Sequence, residues 1–233
     1  MSSDAKFLCL RLQGPLQSWG FESQYNRRNT GLFPTKSAIA GMCCAALGFP
    51  RGSDDERQLL TAFRRVHMTA ISIPRRRGSR ELAVRRLVDY HTVQNTRRAS
   101  GSLNVDCVLT SRQYLVDAGF GVVLAGDAGL LTRIGAAIAD PRWGIWLGRK
   151  TCIPSAPVLA GLADSREEAL RLLIGDDTIE SFTRQEDVSS FVEGKDSLGD
   201  NPECFASGRR TFSPRRVAVT MAVSAQQRGS QDT

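Results

Sequence analysis

At 233 residues and 25.5 kDa, the chain can bury one core with a small appendage, but not several independent domains. Its 41% hydrophobic and 24% charged residues exclude a disordered or fibrous chain, and no run approaches the roughly 18 apolar residues of a membrane span. The formal charge is +7 and only four of the 31 basic residues are lysines, so the excess is arginine, whose planar fork suits phosphate and stacks on bases.

Residues 7–12 alternate around Leu8, Leu10 and Leu12, predicting a first strand. Gly14, Pro15 and Gly20 then open a loop carrying Gln17, Ser18 and Trp19. Thr35 caps an expected helix over 36–47, in which Ile39, Met42, Cys43 and Ala46 share one apolar face and Gly48 supplies the stop. Gly41 within it points to close packing. A short helix is expected near 55–63, then strands at 66–73 and 87–93. A polar tip follows over 94–105, with strands again at 113–115 and 120–125.

A helix at 128–139 is stopped by Asp140-Pro141 and followed by a glycine-punctuated loop, 141–157, containing Trp143, Trp146, Gly148, Arg149 and Lys150. A small helix at 166–174, an acidic irregular region at 175–203, a strand at 217–223 and a flexible tail at 224–233 complete the chain. This order suits an α+β fold, with helices on one face of an antiparallel sheet and a single domain over 1–223; a ferredoxin-like core fits it.

Charge is segregated. Residues 64–98 hold ten arginines and two acids, while 163–203 hold four basic residues and twelve acids. The basic block focuses potential that attracts polyanions; the alternative is a solvated face neutralised by the acidic segment.

Dedicated chemistry is sparse. The two histidines, His67 and His91, have no cysteine nearby, and no zinc, EF-hand, GxGxxG, P-loop or GxSxG spacing occurs. Neither a metal nor a cofactor is expected. Six cysteines without CxxC spacing read as free thiols, and Cys43-Cys44 as structural. The N-terminus lacks the basic start and apolar run of an export signal, so a cytoplasmic location is expected.

His91, between Tyr90 and Thr92 and flanked by Arg85, Arg86, Arg97 and Arg98, is open to three readings: RNA contact, proton transfer in RNA cleavage, or a structural role. Trp19, Trp143 and Trp146 either stack on bases or anchor their loops. Lys36 and Ser37 open a helix whose N-terminus can meet a phosphate.

Taken together, 14–20, 31–48, Asp89-Tyr90-His91-Thr92-Val93, Arg112-Gln113-Tyr114-Leu115 and 143–152 strongly resemble the CasD family, the fifth-numbered CRISPR-associated proteins of type I-E Cascade. The resemblance covers residues 6–155, thins through the acidic region and returns at Phe205-Ala206-Ser207. Arg75-Arg76-Arg77 is more basic than the family's pattern, and 197–207 lacks a full counterpart.

The resemblance implies an RRM-like or ferredoxin-like palm with additional C-terminal strands, from which a β-hairpin thumb projects at 75–112. It also implies a non-catalytic role: capping the crRNA 5′ handle and contacting the repeated backbone subunits and the large subunit of Cascade, with target DNA met indirectly. Carried onto this chain, Tyr90, His91, Gln94, Arg97, Arg98 and Arg112 lie along the thumb and its base. Trp19, Lys36, Ser37, Arg149 and Lys150 line the palm side.

One branch of the family cuts repeat RNA without metal. That makes an endoribonuclease using Tyr90 and His91 the alternative, although no lysine stands beside them and arginine does not exchange protons at neutral pH. A basic protein-interaction module without specific RNA is a third reading.

Overall fold

The computed structural model describes residues 5–20, 23, 26–77, 80–98 and 100–223. The 224–233 tail therefore lies outside the described residues. The first strand, β1 (Ala5–Gln13), is followed by two short strands, β2 (Leu16–Gln17) and β3 (Arg27–Arg28). Next come α1 (Lys36–Leu47), α2 (Asp54–Phe63) and β4 (His67–Ser72). Thr35 accepts the Ala38 N–H, and Gly48 ends α1 in the left-handed region at φ 72°. α2 begins at Ser53, which accepts the Glu56 N–H, and places three acids in its first turn, where the helix dipole favours them.

The basic excursion folds as two hairpins. β5 (Arg75–Arg77) pairs with β6 (Arg80–Leu82), and β7 (Arg85–Val93) pairs along its whole length with β8 (Val108–Val116). Nine residues of strand rise about 30 Å, so the second hairpin reaches well beyond its root. β9 (Gly119–Asp127), α3 (Ala128–Ala139), β10 (Leu159–Ala163) and α4 (Arg166–Ile174) follow, and β11 (Arg184–Asp187), β12 (Asp196–Cys204) and β13 (Thr211–Thr220) close the fold.

The main sheet runs β10-β1-β9-β4-β11-β13-β12, with every neighbouring pair antiparallel. β1 shows why both faces are covered. Leu8, Leu10 and Leu12 enter the larger core with α1, α2 and α3, while Cys9 enters a smaller one with Val123, Ala169 and Leu173. The expectation of helices on one face is corrected accordingly, because α4 presents Ala169 and Leu173 to the opposite face.

Other boundaries shift for identifiable reasons. The segment expected to be irregular, 175–203, contains β11 and most of β12. Their period was masked because buried positions carry Gln185 and Asp200 in place of apolar side chains. The last strand starts at Thr211, earlier than its apolar run. β10 is too rich in alanine and glycine to signal a strand.

Candidate nucleic-acid interface

The β7–β8 hairpin is rooted on both edges of β8. β7 occupies one edge, while β2 pairs antiparallel with Leu115–Val116 and β3 parallel with 111–112 on the other. Cross-strand register sets Asp89 against Arg112, Tyr90 against Ser111 and His91 against Thr110. Alternation puts Tyr90 on one face of the hairpin and Asp89, His91 and Arg112 on the other. Tyr90 is 75% exposed. His91 Nε2 lies 2.5 Å from Asp89 Oδ2, and Arg112 Nε donates to Thr110 Oγ1 at 3.2 Å.

Gln94, Arg97 and Arg98 are exposed in the connecting tip. Arg97 donates to the Gly101 carbonyl at 3.3 Å and Arg98 to Asn104 Oδ1 at 3.1 Å, so their forks hold the tip's shape while remaining open to solvent. Within the block, β4 pairs with β11 of the acidic segment, whereas the two hairpins beyond it pair strand to strand with themselves. Arg75 and Arg85 share Asp117, at 2.5 and 3.8 Å, and Arg76 pairs with Glu81 at 3.3 Å. Among the block's described arginine side chains, only Arg64 ion-pairs with an acid of that segment, Glu203 at 3.6 Å.

Arg149 joins the hairpin root to the loop that follows α3. Its guanidinium stacks 4.7 Å from the Tyr114 ring centroid and donates to the carbonyls of Gln113 at 3.0 Å and Arg28 at 2.8 Å. Beside it opens a groove of about 970 Å³. α1 forms the floor with Ser37, Ala38, Gly41 and Ala45, positions that repeat on one helical face. One wall is the loop bearing Trp143, Trp146, Arg149 and Lys150, together with Ser18 and Arg28; the other carries Phe205, Arg210 and Phe212, with Phe49 and Arg51 at the C-terminal end of α1. Trp143 is 46% exposed and Trp146 37%, leaving surface for stacking.

Two expected contacts are corrected. Trp19 is 0% exposed and meets Phe120 edge to face at 6.4 Å. It is a core anchor, and no base can reach its ring. Lys36 is 3% exposed: its Nζ donates to the Val66 carbonyl at 2.6 Å and lies 3.0 Å from Asp187 Oδ2, while its backbone N–H goes to Asp200. Burial pushes its ammonium below the usual lysine pKa, a shift opposed by Asp187. Of the first turn of α1, Ser37 is half-buried and lines the groove.

The structure thus brings Ser37, Arg149 and Lys150 into one groove and sets Tyr90, His91, Gln94, Arg97, Arg98 and Arg112 along the adjoining hairpin. Arg28, Arg51 and Phe212 escaped the sequence reading, and neither Phe205 nor Arg210 was assigned to the interface there. The only local signal was Arg-rich or aromatic residues beside turn glycines, as at Gly48 and Gly208. Buried thiols face inward: burial raises Cys44 to about 12, against about 9 for an ordinary thiol, and pushes Cys43 up as well.

Fold and groove together define an arginine-rich platform with a projecting hairpin. The chain belongs to the Cas5 family: residues 7–218 match the family described as CRISPR-associated protein (Cas_Cas5). The Cascade subunit CasD of Escherichia coli (strain K12) is 32% identical over 171 residues, covering 72% of this chain and 75% of that protein.

A chain solved in a CRISPR RNA-guided surveillance complex superposes with a TM-score of 0.72 at 27% identity, covering 94% of this chain and 92% of its own. A crystal structure of a Cas protein gives 0.65 at 29% identity, covering 93% and 94%. Among the described residues no helix is long and apolar enough to cross a membrane, and no cluster of His, Cys, Asp and Glu could hold a metal ion.

Proposed function

We propose that the chain is a crRNA-binding scaffolding subunit of a type I Cascade surveillance complex, one that holds the repeat-derived 5′ handle without cutting it. The observation that carries this is the bracing of the hairpin root by Arg149. It ties the hairpin root to the Trp143–Lys150 wall of the groove, which supports one cationic path shared by that wall and the hairpin's arginines, in a chain 32% identical to a Cascade subunit.

In this reading the β7–β8 hairpin is the thumb. The β1–α1–β4 and β9–α3–β10 units, ordered β10-β1-β9-β4, are the ferredoxin-like palm. A bent single strand offers phosphates, splayed bases and 2′-hydroxyls. Arg97, Arg98, Arg112, Arg149 and Lys150 meet the phosphates; Tyr90, His91, Gln94 and Ser37 meet bases or ribose. The repeated backbone subunits and the large subunit are its protein partners, target DNA is met indirectly, and the assembly works in the cytoplasm.

Alternation along β7 supports a non-cleaving role. Tyr90 and His91 point to opposite faces, so they do not converge on one scissile phosphate as an acid–base pair must.

Co-purification from cells expressing the cognate CRISPR array, with sequencing of bound RNA, tests the reading. Reads sharing one repeat-derived 5′ end and intact repeat RNA after metal-free incubation are expected. A cut product would favour the endoribonuclease, and absence of RNA would leave a protein-interaction module.

A further inference from the structure

The handle reading uses the hairpin and the Trp143–Lys150 wall, leaving the opposite wall without a role. That wall is built from segments far apart in sequence. Phe205 and Phe212 flank the β12–β13 connection and pack as a tilted pair, centroids 6.2 Å apart, with Phe212 exposed. Arg210 stands between them in sequence, and Arg51 lines the same groove, its neighbour Gly52 lying against Ala206.

The wall is fixed in place before any ligand arrives. Glu56 Oε2 accepts the Gly52 N–H at 2.8 Å and the Phe205 N–H at 3.4 Å, tying the segment after α1 to the segment after β12. Gly41 on the floor lies beneath this wall, and a Cβ there would make ordinary contact with the Phe205 ring at 3.8 Å.

Positive charge predominates in the groove, which is lined by Arg28, Arg51, Arg149, Lys150 and Arg210 against two acids. Glu56 and Asp200 are its two lining acids; Glu56 is occupied by the backbone groups just named, and Asp200 by Arg215 and the Lys36 N–H. Arg51, Lys150 and Arg210 have no ion-pair partner among the described residues. Free guanidiniums beside an exposed aromatic ring, over a floor of small residues, suit an unpaired nucleotide: the ring takes a base face and the forks take phosphate. An acidic peptide would use the arginines but not the aromatic platform.

We propose that this C-terminal wall is a second RNA subsite, in which Phe212 stacks on one unpaired base while Arg51 and Arg210 grip the flanking phosphates. The proposal deepens the handle-binding reading and rests on it.

The test is a nucleotide-resolution footprint of crRNA in the assembled complex, with wild-type chain, a Phe212→Ala/Arg210→Ala variant and Arg51→Gln. Both variants should retain crRNA yet lose protection, by at least threefold, at the same one or two handle nucleotides, and Phe212→Trp should restore it. Arg51 lies on a different segment, so an agreeing result from it answers a folding defect in the double variant. Unchanged protection in Arg51→Gln and in a correctly folded double variant overturns the subsite. So does loss of a protein subunit with an unchanged footprint, which would make the wall a protein contact. A wild-type complex lacking a protected 5′ end would instead remove the handle reading itself, and the subsite with it.

Discussion

Asp200 accepts the backbone N–H of Lys36 on one carboxylate oxygen at 2.8 Å and Arg215 Nε on the other at 2.6 Å. The first turn of α1 therefore already holds an anion, at the place where helix N–H groups would otherwise meet a phosphate. Arg215 also pairs with Asp187, which in turn holds the Lys36 ammonium. The two lysines assigned to the palm side thus separate in role. Lys36→Met should lower unfolding stability by roughly 3 kcal/mol, since it strips a partner from a buried carboxylate, while leaving the salt dependence of RNA binding unchanged. Lys150→Ala should leave denaturant unfolding within about 0.5 kcal/mol and flatten the log K against log salt slope by about 0.7, the share of one single-strand phosphate contact. The reverse pattern would return Lys36 to the interface.

The tryptophans divide in the same way. Trp19 packs edge to face on Phe120, and its backbone N–H donates to Thr30 Oγ1 at 2.9 Å. Trp19→Ala should therefore cost roughly 3–5 kcal/mol in urea unfolding. Trp143→Ala removes a half-exposed ring on the groove and should weaken RNA binding by about 1–3 kcal/mol at nearly unchanged stability. Equal stability losses in the two variants would make Trp143 a second anchor.

Where local rules act alone, the sequence was sufficient. α1 could be bounded from Thr35 and Gly48, and α3 from Asp140-Pro141. The failures came where long-range partners decide. β11 and β12 carry Gln185, Asp187 and Asp200 toward Lys36 and Arg215, so charges occupy positions that periodicity expects to be apolar. The groove's second wall joins the segment after α1 to the segment after β12, so Arg51 and Arg210, 159 positions apart, gave no joint signal. The sequence offered Arg149 as an RNA contact but not as a brace, since its stacking on Tyr114 depends on a contact 35 residues away.

Gly148 fixes how the Trp143–Lys150 wall meets the first loop. Its φ is +97°, and a Cβ there would fall 1.7 Å from the Ser18 carbonyl oxygen, a backbone atom that cannot rotate away. Ser18 N–H also donates to the Leu147 carbonyl at 3.0 Å. Gly148→Ala should displace the wall, lowering the melting temperature and weakening RNA binding at least tenfold. Gly199→Ala, where a Cβ meets nothing within 4 Å, should do neither.

Acid stability should report on Glu186. Burial alone would raise its carboxyl pKa, but hydrogen bonds and charge from Arg166 and Arg184, at 2.5 and 2.8 Å, outweigh that and hold it below the usual range. A depressed folded-state pKa contributes stability above the unfolded value that is lost as pH falls through the folded one. Stability should therefore decline below roughly pH 4, and Glu186→Gln should shrink that decline while lowering stability at neutral pH. An unchanged acid limb in unfolding titrations would assign the acid sensitivity to other groups.

Cys107, exposed in the hairpin tip, offers a direct reporter of the grip. Burial holds Cys9 and Cys44 at about 12, and Cys43 and Cys152 are buried as well. Thiolate is the reactive form, so at about pH 8 a thiol reagent should label Cys107 first, and Cys107→Ser should remove the fast phase. In the assembled crRNA complex that phase should slow at least tenfold if the tip closes over RNA. A rate equal to that of the free chain would leave the tip in solvent, and the arginines beside it would then grip nothing.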